Sequence, residues 1–252
     1  MKKSLLFLPF LLLLVGAFIS CEEVEEAGKY DNWRERGEAF VDSIKRLTGE
    51  NYVATAEQAD AMELGKLYAI QTTASTSEGA QYVYCKKLVK NETGERPLYT
   101  GYHSKVNAYY YGTYVNGEEF DGCFDGYSAI DRDIPIPPVK EPTVFDSFVD
   151  FEVSGVVAGW AAALQLMRMG ERWMLYIPYQ SGYGINDYTA PYSTNTIPGG
   201  SLLTFDLQLV SLPNEIKEGV CRNAPNIRIP PAIDVYGRGN LVNGEMSSLA
   251  CW

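Results

Sequence analysis

Between Val156 and Met169 nearly every side chain is apolar, with Gln165 and Arg168 the only amide or charged groups. A run of four turns that is apolar all round predicts one helix enclosed by the rest of a domain. Gly170 then stands where a helix end favours positive φ. Alternation over Trp173–Ile177, closed by Pro178, predicts a strand. A loop with Tyr183, Gly184, Ile197 and Pro198 leads to a second strand at Leu202–Val210. Upstream, strand character falls at Leu67–Ile70, Gln81–Val89 and Lys105–Tyr111, with a hairpin turn at Asn116-Gly117. Phe145–Val153 alternates and predicts a further strand. Helical spacing of Trp33, Phe40, Ile44 and Leu47 predicts a helix over Asp31–Leu47, capped by Asp31 or Asn32 and ended by Gly49. A weaker helical pattern covers Thr55–Leu67. Pro135, Pro137, Pro138 and Pro142 make Asp125–Pro142 an irregular surface loop. The tail Asn214–Trp252 reads as loop, with short strand-like runs at Asn226–Ile229 and Ile233–Tyr236.

The N-terminus carries a different pattern. Lys2 and Lys3 precede an apolar core, Leu5–Ile19, then Ser20 and Cys21. That is a basic region followed by a signal-peptide core, too short for a comfortable membrane span. A small residue before Cys21 resembles the bacterial lipobox, with Phe18 where Leu is usual. The alternative is an ordinary secretory peptide with an incidental cysteine. Cleavage before Cys21 would leave it acylated, a palmitate-type lipid anchor to a membrane. The acidic run Glu22, Glu23, Glu25, Glu26 resembles the export signal of surface lipoproteins in Bacteroidetes. The expected location is the cell envelope, anchored to the outer membrane and facing the periplasm or the surface. Export places the other cysteines in an oxidising space. Cys85, Cys123, Cys221 and Cys251 are left either with a Cys221–Cys251 bridge or as four free thiols.

Charge and histidine count narrow the chemistry. Lys+Arg number 21 against Asp+Glu 32, a net −11. Such a chain repels phosphate backbones, so nucleic acid is excluded as a partner. His103 is the only histidine, which leaves His-based triads and metal sites without material; neither metal nor cofactor is expected. The Asp131/Asp133 pair lacks a twelve-residue calcium loop. Gly237-Arg238-Gly239 and Pro198-Gly199-Gly200 lack the strand-to-helix setting of a phosphate cradle and read as turns.

An ordered set of fragments remains: Tyr110-Tyr111-Gly112, Gly117-Glu118-Glu119-Phe120-Asp121, Val156-Val157-Ala158-Gly159-Trp160, Met169-Gly170-Glu171-Arg172, Ile177-Pro178, Tyr183-Gly184, Ile197-Pro198 and Leu203-Thr204-Phe205-Asp206-Leu207. In this order they resemble the FKBP family, the macrolide-binding peptidyl-prolyl cis-trans isomerases. The resemblance implies an α+β fold, a curved antiparallel sheet wrapped on one short helix, here with a helical N-terminal extension and an irregular C-terminal tail. The implied division is a signal peptide at 1–20, an acidic tether and helical extension at 21–80, the FKBP-like domain at 81–212 and an extension at 213–252.

Carried across, the resemblance gives catalytic roles to Tyr110, Asp121, Val157 and Tyr183. It gives substrate-binding roles to Phe120, Val156, Trp160, Ile197 and Phe205, with Phe151 or Val149 as a further wall. The backbone N–H of Val157 and the Tyr183 hydroxyl would bind a substrate carbonyl. Phe120, Trp160 and Phe205 would enclose a proline ring, and Asp121 would orient or polarise. Proline-containing polypeptides and macrolide inhibitors are the implied partners, and folding of exported proteins the implied task. The chain departs from the family in the insertion Asp125–Pro142, in extra residues between Tyr183 and Ile197 that include Tyr188 and Tyr192, and in Gly199-Gly200. These departures are expected to govern which substrates reach the pocket. They also motivate a rival reading, a non-catalytic FKBP-like binding module on an envelope lipoprotein. Tyr188 and Tyr192 suggest a third, a carbohydrate-contacting surface.

Overall fold

The computed structural model describes residues 28–77, 79–191 and 195–213. The leader with Cys21, Tyr192, and the tail with Cys221, Cys251 and both strand-like runs lie outside the described residues. In order, the chain forms α1 (Trp33–Thr48), β1 (Tyr52–Val53), α2 (Ala56–Asp60), β2 (Leu67–Thr76), β3 (Gly79–Val89), β4 (Lys105–Tyr114), β5 (Glu119–Gly122), β6 (Val149–Glu152), α3 (Ala158–Leu164), β7 (Arg172–Ile177), β8 (Tyr188–Thr189), β9 (Thr196–Ile197) and β10 (Leu203–Ser211). One sheet runs β1-β2-β3-β7-β10-β4-β5, with β6 also paired to β4. Every pairing in it is antiparallel except β1 with β2. The boundary expected at residue 81 falls inside β3, and β2 is hydrogen-bonded to β3 along its length. The sheet therefore begins before that boundary.

Two-residue periodicity sorts the side chains onto two faces. Trp173, Leu175 and Ile177 of β7, with Val83 and Cys85 of β3 and Leu203, Phe205, Leu207 and Leu209 of β10, join the core that holds α3. Met174 and Tyr176, with Tyr84 and Leu88, form a second core with Ile44, Phe40 and Val41 of α1. Tyr127 and Ile134 of the proline-rich insertion pack into this second core. The insertion has no helix or strand, as expected, but it covers the sheet face opposite α3. It is thus a lid on the second core rather than a gate to the site.

Several elements are shorter or longer than the sequence pattern predicts. The helix expected over Val156–Met169 is only Ala158–Leu164. Val157 is extended (φ −59, ψ 151), and the chain leaves the helix so that Arg168 can reach Asp60 (2.7 Å) and the Gly94 carbonyl (2.8 Å). Gly170 has φ +86, but in the turn before β7, where its N–H donates to the Leu209 carbonyl. The Thr55–Leu67 helix stops at Asp60: Thr55 and Gln58 form a capping box at its start, and β2 begins at Leu67. The strand expected over Phe145–Val153 is only Val149–Glu152, because Thr143 and Asp146 close a turn ahead of it. Phe145 is left 92% exposed. α1 follows expectation, with Asn32 as its N-cap and Gly49 (φ 59) past its end. Cys85 and Cys123 are free thiols, and no described helix is long and apolar enough to cross a membrane.

The second face holds a buried ion pair. Arg172 donates to both oxygens of Asp206 (2.7 and 2.6 Å) and to the Lys140 carbonyl (2.6 Å), with both side chains fully buried. Its guanidinium also lies 5.3 Å from the Phe124 ring and 5.5 Å from the Tyr127 ring, and Asp206 accepts from the Tyr127 N–H. Removing one partner leaves a buried charge uncompensated. Arg172→Ala is therefore expected to cost about 3–5 kcal/mol in chemical denaturation; a loss within about 0.5 kcal/mol, typical of an unremarkable surface change, would contradict the burial described.

Candidate active site

The aromatic residues singled out in the sequence converge on α3. Trp160, 3% exposed, meets Phe151 (ring centroids 5.0 Å), Phe205 (5.1 Å) and Tyr110 (5.6 Å), each nearly edge to face. Phe151 also meets Tyr110 at 5.4 Å, and Phe120 meets Phe205 at 5.4 Å. Edge-to-face geometry suits the ring quadrupoles and adds to area burial. Of the two candidates for the further wall, Phe151 takes the place among the rings, and Val149 packs against the core nearby. Val156, Val157, Ile197 and Phe120 are partly buried against the same cluster. A buried aromatic floor with a half-open aliphatic and aromatic rim is the result.

Two glycines set these distances. A Cβ at Gly159 would sit 2.6 Å from the Ile177 side chain, so only glycine lets α3 lie this close to β7. A Cβ at Gly112 would sit 2.9 Å from Phe120, from Phe205 and from the Asp121 carbonyl. Gly112 pairs with Asp121 on one side and Phe205 on the other, so its missing side chain is the space the two rings fill.

The rim carries the polar groups. The Tyr110 hydroxyl lies under the influence of Asp121; burial, then the Asp121 charge, hold its pKa well above the ordinary phenol range. Burial, with Tyr188 and Asp121 adding to it, also raises Tyr183. Tyr183 stacks on Tyr188 (4.2 Å, 14°), the first residue of a small hairpin in which Tyr188 pairs with Ile197. The extra residues between Tyr183 and Ile197 thus build a support for both rim residues. Tyr192 lies outside the described residues.

Unused donors complete the arrangement. Val157 is the N-cap of α3, and among the described residues its N–H meets no acceptor, as expected for the first donors of a helix. The Trp160 indole nitrogen is buried without a partner. Such a group costs about 1–3 kcal/mol when left unmade; of the five buried side-chain atoms without a partner among the described residues, it is the one carried by a ring of this basin. His103 lies in the turn before β4 beside Glu95 and Tyr102, apart from this cluster. Among the described residues no group of three or more His, Cys, Asp or Glu could hold a metal ion.

Two other clefts lie outside this cluster. One of about 440 Å³ runs between α1 and β3, past Val41, Tyr82 and Gln180; another of about 380 Å³ lies between β2 and α3. Neither contains any of the nine residues expected in the site. Among the described residues, the unpartnered donors, the interlocking rings and the Asp121 carboxylate come together at the α3 basin and in neither cleft. Gly112 stands in the first of the quoted fragments, but its role as the space for two rings, and the supporting ring of Tyr114, 4.9 Å from Phe120, were not foreseen; the Tyr-x-Gly-x-Tyr alternation of β4 was the available signal. Gly112→Ala is expected to cost about 1–3 kcal/mol by overpacking and to alter the near-ultraviolet circular dichroism of the ring cluster. An unchanged spectrum would contradict the contacts described.

Residues 101–210 match the family profile described as FKBP-type peptidyl-prolyl cis-trans isomerase. The chain is 30% identical over 124 residues to FK506-binding protein 2 of Dictyostelium discoideum, spanning 49% of this chain and 77% of that one. It is 40% identical over 80 residues to the macrophage infectivity potentiator of Trypanosoma cruzi, 29% of this chain and 38% of that protein. With the FKBP-type isomerase FkpA of Aeromonas hydrophila it shares 25% identity over 203 residues, 79% of this chain and 60% of the relative. The chain thus spans about half the length of these last two relatives.

Proposed function

The chain belongs to the FKBP-type peptidyl-prolyl cis-trans isomerase family, and on that premise we propose that it catalyses rotation about Xaa-Pro bonds in exported polypeptides. The observation that carries this reading is the ring basin of Tyr110, Phe120, Phe151, Trp160 and Phe205, with the unpartnered Trp160 N–H on its floor and the Val157 N–H at its rim. The reaction requires no nucleophile. A planar amide resists rotation by ~18–20 kcal/mol through its C–N double-bond character, and an isolated Xaa-Pro bond takes tens to hundreds of seconds. Twisting removes conjugation and weakens the amide dipole. A basin that encloses the proline ring in apolar surface favours this twisted form over the flat one. Only that difference accelerates the step, at about 1.4 kcal/mol per tenfold.

Within this reading Phe120, Trp160 and Phe205 hold the proline ring, with Val156 and Ile197 as aliphatic walls. The Val157 N–H and the Tyr183 hydroxyl donate to substrate carbonyls, fixed in place before the bond turns. Asp121 holds Tyr110 oriented rather than acting as a general base. Macrolide inhibitors of the family would compete for the same basin. We also propose that Cys21 carries a lipid anchor that keeps the domain at the cell envelope; the Leu5–Cys21 pattern supports this.

The reading is tested by following cis-to-trans conversion of a short Xaa-Pro peptide with the detergent-purified chain, with and without a macrolide. Acceleration that the macrolide abolishes is expected; no acceleration at micromolar protein overturns it. Trp160→Ala is expected to reduce kcat/KM at least about tenfold, the loss of one well-placed group. The rate should be flat from about pH 6 to 9, because Tyr110 and Tyr183 keep their protons past the usual phenol range near 10. Folded-state values above the unfolded one stabilise the protein below about pH 10, and that contribution is lost as pH rises further. A bell-shaped profile centred near neutrality would speak for acid–base chemistry instead.

A further inference from the structure

α1 lies outside residues 101–210, which match the family profile, yet its first turn is built into the wall of the basin. Trp33 is buried, and its indole N–H donates to the Ser201 hydroxyl at 2.8 Å. That hydroxyl donates in turn to the Pro198 carbonyl at 2.5 Å. Pro198 directly follows Ile197, the aliphatic wall. The fit around this segment is close: a Cβ at Gly200 would lie 2.9 Å from the Arg34 side chain, and one at Gly37 would lie 3.4 Å from Leu202. From the other side, Gly199 donates to Asp187 and Gly200 to the Gly184 carbonyl. Residues 198–202 are therefore held between α1 and the Tyr183 loop.

A second route starts from the same side chain. The Trp33 ring meets Tyr114 edge to face at 5.4 Å, Tyr114 meets Phe120 at 4.9 Å, and Phe120 meets Phe205 at 5.4 Å. Trp33 thus stands behind two walls of the basin, one through a hydrogen-bond relay and one through rings. The rest of α1 serves the other face, where Ile44 is buried in the second core. That division separates a positioning role from simple packing within one helix.

We propose that Trp33 is a positioning residue of the site: through Ser201 it fixes the Ile197–Pro198 wall, so that α1 sets the affinity for the proline segment. This rests on the site reading above. The test uses the full chain with Trp33→Phe, Ser201→Ala, the double variant, and Ile44→Val as a packing control. Trp33→Phe keeps a ring at this position and removes the N–H that feeds the relay; the packing it also loses is absent from Ser201→Ala, which cuts the same relay from the other end.

Each single variant is expected to raise KM for an Xaa-Pro peptide about fivefold, the worth of one buried hydrogen bond, with kcat within about twofold. The double variant should be no worse than either single one, since both cut the same relay. Ile44→Val should lower the denaturation midpoint and leave KM unchanged. An unaltered KM in Trp33→Phe, additive losses in the double variant, or a KM change in Ile44→Val that tracks stability would overturn the proposal. Peptide Kd by calorimetry separates it from the isomerase reading. A wild-type chain that binds the peptide without turning it defeats catalysis, and Trp33 is still judged by Kd. A chain that binds no such peptide defeats both.

Discussion

The closeness of one short helix to the sheet governs this molecule. Gly159 lets α3 settle against Ile177 at a distance no side chain would tolerate, and that approach drives Trp160 into the rings of Tyr110, Phe151 and Phe205. Had α3 stood a methyl group higher, the indole would have lost its edge-to-face neighbours, and contact energy falls off within about an ångström. The helix is also only two turns long, so Val156 and Val157 reach the basin in extended form with a backbone donor still unused. Geometry that looks specific to the site is in this sense a by-product of packing.

The sheet works as a partition. On the α3 side lie the rings, the aliphatic rim and the free donors; on the other, α1 and the proline-rich insertion seal a second core of Tyr84, Met174, Tyr176 and Tyr127. Burying both faces is what allows the central strands β7 and β10 to be almost wholly inaccessible. The insertion is therefore a covering layer. α1 alone reaches both sides, with Trp33 in the first core and Ile44 in the second.

Much of this was legible in the chain itself. The strands over Gln81–Val89, Lys105–Tyr111 and Trp173–Ile177 announced themselves because alternation and turn residues agree there, and the residues that gather around α3 because eight short fragments keep one order. What stayed hidden has a physical pattern. The length of α3 could not be read from an apolar run, since Leu166, Met167 and Met169 are apolar for tertiary reasons while Arg168 pulls the backbone toward Asp60. The side taken by the insertion depends on Tyr127 pairing with Asp206, a contact 79 residues apart. Phe145 fitted an alternating strand on paper, yet a turn closed by Thr143 and Asp146 turns it outward.

Glu171 and Arg172 are neighbours, both completely buried, and they point to opposite sides of the sheet. Glu171 takes Lys87 and the Trp173 indole on one side, and Arg172 takes Asp206 on the other. Sliding β7 by a single position against its neighbours would exchange the two sides, setting a guanidinium in grease and a carboxylate opposite another acid. Neither charge would find its mate, and two stranded ions cost far more than a misplaced leucine. The adjacent pair thus acts as a key with teeth on both edges: whatever it adds to stability, it makes a one-position misalignment of the central strand unaffordable.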